Sequence, residues 1–164
     1  MNSYDYIFQL KRLSLFEDLR LDIVAQLTKK GNLLKVNHDE ELRDILLPES
    51  IFIMLKGKVE LLDVQKSHNS WVVAQWSEGE VIPNYHKNET FSRIFKTKAV
   101  DDSILLQLPI HLFLSIASQH SHTHILLLKL MHLNLTFSYG VLSTYSHRLQ
   151  KNNEECDIHQ QNEG

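Results

Sequence analysis

The sequence predicts a mainly β domain with flanking helices, of the jelly-roll β-barrel type. Three observations predict it. Apolar residues follow a helical period at both ends of the chain. Between residues 32 and 108 that period gives way to six to eight short runs of β-branched, aromatic or leucine residues, separated by polar turns. With 164 residues, 43% of them hydrophobic, the chain can bury one core but is too short for two.

Two short helices are predicted before the strands begin. Apolar residues recur three or four positions apart from Tyr6 to Leu13, and again from Leu19 to Leu27. Gly31 follows the second series and is typical of a helix end. These helices are expected to cover one side of the β structure.

Gly57 separates two different strand patterns. The run from Ile51 to Leu55 lacks alternation, which indicates a strand covered on both faces. After the glycine, Val59 and Leu61 alternate with charged residues, as in a half-exposed strand. Glycine adopts a positive φ without steric cost, so we expect a tight hairpin or a bulge here.

The chain ends in helical sequence. Pro109 suits the first turn of a short helix, and a longer helix is predicted over about 121–150. In this second helix leucines stand seven apart, at Leu128, Leu135, Leu142 and Leu149. Such spacing predicts a homodimer through the helix, although packing on its own barrel is the alternative. One domain is therefore expected over 1–150, with a disordered polar tail over 151–164.

Composition disfavours several classes of protein. Seventeen basic and 20 acidic residues give a formal net charge of -3, without a basic cluster suited to DNA. The start of the chain lacks the build of a signal peptide, and no apolar run approaches membrane length. Cys156 is a single cysteine, which fits a reducing compartment. We therefore expect a cytoplasmic protein that is not an enzyme, because no catalytic motif is present.

The order of these elements resembles the cyclic-nucleotide-binding domain of the Crp/Fnr type over residues 10 to about 150. The most specific match spans residues 50–63, where the family's pattern is met by Phe52, Ile53, Lys56, Gly57 and Val59. A second match is the stretch from Lys98 to Ser103, which leads into the last strand as in that family. The resemblance implies a regulatory signalling domain with a cyclic nucleotide as its ligand.

The resemblance also implies a phosphate-binding cassette. In the family, a Gly-Glu pair is followed about ten residues later by an arginine and a small hydroxyl residue, and the long helix contacts the purine. By position, the candidate ligand-binding residues are Arg93, Asn84, Pro83, Ile94, Thr136 and Ser138. Of the four diagnostic positions of the cassette, only the arginine position is occupied by the family's residue type. Proline lacks an amide for phosphate, asparagine lacks charge, and isoleucine lacks a hydroxyl.

Three hypotheses remain from the sequence. The first is a stand-alone domain that senses a nucleotide second messenger, and the second is a ligand-free module for protein interaction and dimerisation. A distant third is a metal-binding, cupin-like protein, suggested by His120, His122 and His124. Their spacing at a helix junction favours a surface cluster over a metal site. The fourteen residues after Gln150 leave no DNA-reading element, so no DNA partner is expected.

Overall fold

The computed structural model describes residues 6–42, 49–64, 70–83, 93–118 and 123–161. Within these ranges the elements are, in chain order, α1 (Ile7–Lys11), α2 (Leu21–Lys30), β1 (Asn32–Val36), β2 (Ser50–Lys56), β3 (Lys58–Asp63), β4 (Trp71–Ser77), β5 (Val81–Ile82), β6 (Phe95–Ala99), β7 (Ser103–Pro109), α3 (Ile110–Ala117) and α4 (Thr123–Gln161).

Two antiparallel sheets face each other. One has the strand order β1-β7-β2-β5, and the other has the order β4-β3-β6. Strands far apart in sequence are therefore neighbours, because β2 pairs with β7 and β3 pairs with β6. The arrangement confirms the predicted mainly β fold of jelly-roll type, with helices at both ends.

Gly57 lies where the chain leaves one sheet and enters the other. Its φ is 89°, as the sequence predicts for this glycine. The hairpin expectation is wrong, because β2 and β3 belong to different sheets. The register of β2 against β7 shifts between Met54 and Lys56, so the strand is irregular just before the glycine. A Cβ here would overlap the Ser103 hydroxyl and lie 2.8 Å from the Ser103 Cα, so only glycine fits.

The strand β2 is buried on both faces because it separates two apolar clusters. Ile53 belongs to the outer cluster, which is covered by α1, α2, the segment between them and α3, with side chains such as Phe16 and Phe113. Phe52 points the other way, into the cluster between the two sheets, together with Leu105. Every residue of β2 except Lys56 is consequently buried, which confirms the interpretation of its continuous apolar run.

One face of α4 packs against the barrel. Val141 is 7% exposed and belongs to the cluster between the sheets. The Phe137 ring lies 5.4 Å from that of Trp76, and the Tyr145 ring lies 6.3 Å from that of Phe95, as distances between ring centroids. The packing of this helix on its own barrel, the alternative at the sequence level, is therefore present.

The helix α4 continues beyond its predicted end. It begins at Thr123, within the predicted range, but reaches Gln161 instead of stopping near Gln150. The helix runs on through residues that include neither Gly nor Pro, which end helices. The division into one domain over 1–150 and a disordered tail over 151–164 stays a prediction.

Candidate functional site

Arg93 stands at the entrance to β6. It is helical, as is Ile94 after it, and it is exposed. Ile94 is half-buried, packs against the cluster between the sheets, and accepts a hydrogen bond on its carbonyl from the Val64 amide at 2.9 Å. An exposed guanidinium can reach a ligand, but the apolar side chain beside it supplies no hydrogen bond.

Of the two residues at the Gly-Glu position of the cassette, the structure describes Pro83 alone. Pro83 is buried at the end of β5 and lines an apolar cavity together with Ile51 and Leu114. Asn84 lies outside the described residues, as do the positions between it and Arg93. The structure therefore places Pro83 in an apolar wall and does not test how Asn84 and Arg93 are arranged.

Thr136 and Ser138 are both exposed on α4. The Ser138 hydroxyl donates to the Asn134 carbonyl at 2.8 Å, one turn earlier on the same helix. This is the local bond that helical serines commonly make, and it occupies the donor that a purine would need. Contact between α4 and the start of β6 is made instead by Tyr145, against Phe95.

A stripe of large apolar side chains runs along the outer side of α4. Its members are exposed by 62% to 75% and are Leu128, Met131, Leu135, Tyr139 and Leu142, which we call the α4 stripe. Successive members are three or four residues apart, so they share one face of the helix. Val141 and Phe137, which pack on the barrel, lie on the opposite side. Leu128, Leu135 and Leu142 of the predicted heptad are thus exposed, and α4 is apolar on two sides.

Lys129 fixes the beginning of α4 to the segment between α1 and α2. Its ammonium donates to the carboxylates of Asp18 at 2.6 Å and Glu17 at 3.0 Å, and to the Ser14 carbonyl at 2.5 Å. The hydrogen bond to Asp18 raises the pKa of Lys129 above its usual 10.5, partly opposed by desolvation and assisted by Glu17. The sequence analysis missed this contact, because its partners are far apart in the chain.

The described residues offer no centre for a metal ion. Among them, no group of three His, Cys, Asp or Glu side chains is placed to hold one. His120 and His122 of the histidine triplet lie outside the described residues. In the part of the chain that the structure describes, no helix combines the length and apolarity needed to cross a membrane.

Comparison with known proteins gives one sequence relative of close to full length. The chain is 31% identical over 156 residues to the probable transcription regulator ArfM of Bacillus subtilis (strain 168), covering 94% of this chain and 98% of that protein. No family model matches the sequence.

Solved structures with the same fold have low sequence identity. A cyclic nucleotide-binding domain from Methylobacillus flagellatus has a TM-score of 0.61 at 15% identity, covering 91% of this chain and 83% of that one. The sensor domain of the transcriptional regulator DNR from Pseudomonas aeruginosa has a TM-score of 0.53 at 15% identity, covering 75% and 88%. A cyclic nucleotide-binding-like protein from Brucella abortus has a TM-score of 0.51 at 16% identity, covering 70% and 98%. The chain therefore belongs to the same family as the regulator ArfM, and its fold is that of the cyclic-nucleotide-binding domains of the Crp/Fnr type.

Proposed function

We propose that the protein is a cytoplasmic, non-enzymatic regulatory module that works as a homodimer, with the α4 stripe as the interface. The observation that carries this proposal is the exposure of the stripe, whose five members are each more than 60% accessible. Soluble proteins rarely expose a continuous apolar patch of this kind without a partner. The relative ArfM, described as a probable transcription regulator, supports a regulatory role.

A second copy of the chain fits this surface. Leu128, Leu135 and Leu142 repeat every seven residues, and Met131 and Tyr139 fill the positions between them. Side chains at this spacing interdigitate when two helices pack at a small angle. A two-fold contact needs a self-complementary surface, and an apolar stripe without charged members meets that condition.

The proposed dimer is connected to the barrel through the same helix. On its inner side, α4 packs against the cluster between the sheets through Phe137 and Val141. Near its start, Lys129 binds the segment before α2. A change inside the barrel would therefore shift the helix and the dimer contact together, which is how such a module would regulate a protein partner.

Sedimentation equilibrium of the full chain tests this proposal. We expect wild type to be dimeric at micromolar concentration and the Leu135→Glu variant to be monomeric, because a charge in the interface would be buried without a partner. Thr136→Glu is the matched control, since Thr136 is exposed beside the stripe on the same helix. A monomeric wild type, or equal dissociation of both variants, would refute the proposed interface.

Nucleotide capture beside Arg93 is the second candidate function. The favouring observation is the exposed guanidinium at the entrance to β6, since an arginine fork is well suited to a cyclic phosphate. The cyclic nucleotide-binding domain from Methylobacillus flagellatus supplies the precedent in this fold. The buried Pro83 and the internally bonded Ser138 disfavour it relative to the first proposal.

Thermal unfolding with cyclic AMP, cyclic GMP and cyclic di-GMP tests this second candidate. At about a hundredfold excess over Kd, a true ligand raises Tm by roughly 5 to 10 °C in a chain of this size. Arg93→Leu should abolish the rise, whereas Arg20→Leu should keep it, because Arg20 is an exposed arginine paired with Asp22 elsewhere on the surface. If no nucleotide changes Tm, the sensor hypothesis fails while the dimer proposal stands.

A further inference from the structure

A cavity of about 130 Å³ lies between the four-stranded sheet and the helices α3 and α4. The sheet contributes Ile51 and Val81 to its wall, and Pro83 closes the end of β5. The helices contribute Leu114 from α3 and Leu130 from α4. The cavity is therefore built from segments distant in sequence, and it joins the barrel to the dimer helix.

The wall of this cavity is apolar, and its polar groups already have partners. Ser50 and Asn134 are the polar side chains among the described residues that line it. The Ser50 hydroxyl accepts from the Gln107 amide at 3.1 Å, and the Asn134 amide donates to the Leu130 carbonyl at 3.0 Å. An ordered water needs two to four polar partners, so this cavity offers poor sites for water.

Size and lining together specify the kind of occupant. An apolar cavity of about 150 Å³, engineered in another protein, stays dry and binds benzene or xenon. None of the described residues that line the present cavity is charged, so a nucleotide phosphate would be desolvated there without compensation. The chemistry favours a small uncharged molecule with an apolar or aromatic body.

We propose that this cavity is a binding site for a small apolar molecule, about the size of a benzene ring. Such a ligand would contact Leu114 of α3, Val81 of β5 and Leu130 of α4 at once. It would therefore hold the helix against the sheet. Because the α4 stripe lies on the other side of the same helical turns, the ligand would also fix the orientation of the stripe. Binding itself does not depend on the chain being a dimer or on Arg93.

Benzene and xenon serve as probes, with the full chain and three variants. Leu130→Phe and Val81→Phe each place a larger side chain in the cavity from a different wall. Leu21→Phe is the matched control, because Leu21 is 45% exposed on α2 and lies outside the cavity wall. Binding is read as the change in Tm on saturation and as shifts of the leucine and isoleucine methyl resonances.

We expect saturating benzene to raise Tm of wild type and Leu21→Phe by about 3 °C, and that of the two filled variants by much less. Methyl shifts should be confined to the residues of the cavity wall. The proposal is overturned if wild type shows neither a Tm rise nor localised shifts with either probe. It is equally overturned if Leu130→Phe and Val81→Phe respond as wild type does. If one of the two variants fails to fold, the other decides the result. If both fail, the location of the methyl shifts in wild type decides it.

Discussion

Replacing Gly57 by alanine tests the chain crossing between the two sheets. The residue has a φ of 89°, which costs an L-amino acid about 1 to 2 kcal/mol. An added Cβ would also lie 2.8 Å from the Ser103 Cα and 2.9 Å from the Asp102 carbonyl oxygen. These are backbone atoms of β7 and its approach, so they can yield only by moving the strand, at a further cost of about 1 to 3 kcal/mol.

The two costs together predict that Gly57→Ala lowers the free energy of unfolding by about 3 kcal/mol. For a chain of this length that corresponds to a fall in Tm of about 10 °C. The assay is urea unfolding followed by circular dichroism, together with a thermal scan, at one fixed protein concentration so that association contributes equally.

Two other glycines supply matched controls for this prediction. Gly79 has a φ of 91°, but a Cβ added there would meet only Leu13 Cδ2, at the ordinary contact distance of 3.4 Å. Gly79→Ala should therefore show the backbone strain alone, about 1 to 2 kcal/mol. Gly140 lies in α4 with nothing within 4 Å, so Gly140→Ala should stabilise by about 1 kcal/mol. If Gly57→Ala costs no more than Gly79→Ala, the explanation by contact with β7 is wrong.

Two further predictions concern charged contacts. Lys129→Gln should lower the free energy of unfolding by about 1 kcal/mol at low salt and less at high salt. The pKa of Lys129 is raised in the folded state, so its contribution is complete below pH 10.5, the unfolded value, and is lost as the pH rises through the higher folded-state pKa. A difference from wild type that persists above that pKa would contradict this. Lys98→Gln should raise the pKa of Asp39 towards 3.8, because the hydrogen bond from Lys98 lowers that pKa. An unchanged titration midpoint of Asp39, followed by NMR, would refute the Lys98–Asp39 pairing.

The strand content was predictable because burial leaves a local pattern. The unbroken apolar run of β2 correctly indicated a strand covered on both faces, and Gly57 correctly indicated a positive φ. The partner of β2 was not predictable in this way. Its neighbour β7 lies about fifty residues later, and the pattern around a glycine specifies a local dihedral angle and not a pairing.

The heptad predicted the exposed face of α4 only in part. Leu128, Leu135 and Leu142 lie on the outer side as expected. The leucine repeat does not indicate the roles of the two tyrosines: Tyr145 meets Phe95 of the barrel, and Tyr139 belongs to the stripe. A straight helix drifts only about 20° per heptad from a strict seven-residue repeat, so Leu128, Leu135 and Leu142 still share one face.

The candidate site was less predictable than the fold. Family position alone pointed to Arg93, and its exposure is compatible with that role without testing it. The hydrogen bond from the Ser138 hydroxyl to the Asn134 carbonyl was foreseeable, because serines in helices commonly bond to the preceding turn. The cavity was not foreseeable, because Ile51, Val81 and Leu130 approach one another only when the sheet and α4 are assembled.

Cross-linking at the centre of the α4 stripe tests the central claim most directly. Leu135 is the middle member of the stripe, so a two-fold contact centred there places it beside the partner's Leu135 whether the helices run parallel or antiparallel. Cys156 is the chain's one cysteine, so Leu135→Cys in a Cys156→Ser background introduces a single thiol. Mild oxidation should convert this variant to a disulfide-linked dimer, and Thr136→Cys in the same background should stay largely without the disulfide cross-link. Equal cross-linking of the two variants, or none in either, would contradict a homodimer through α4.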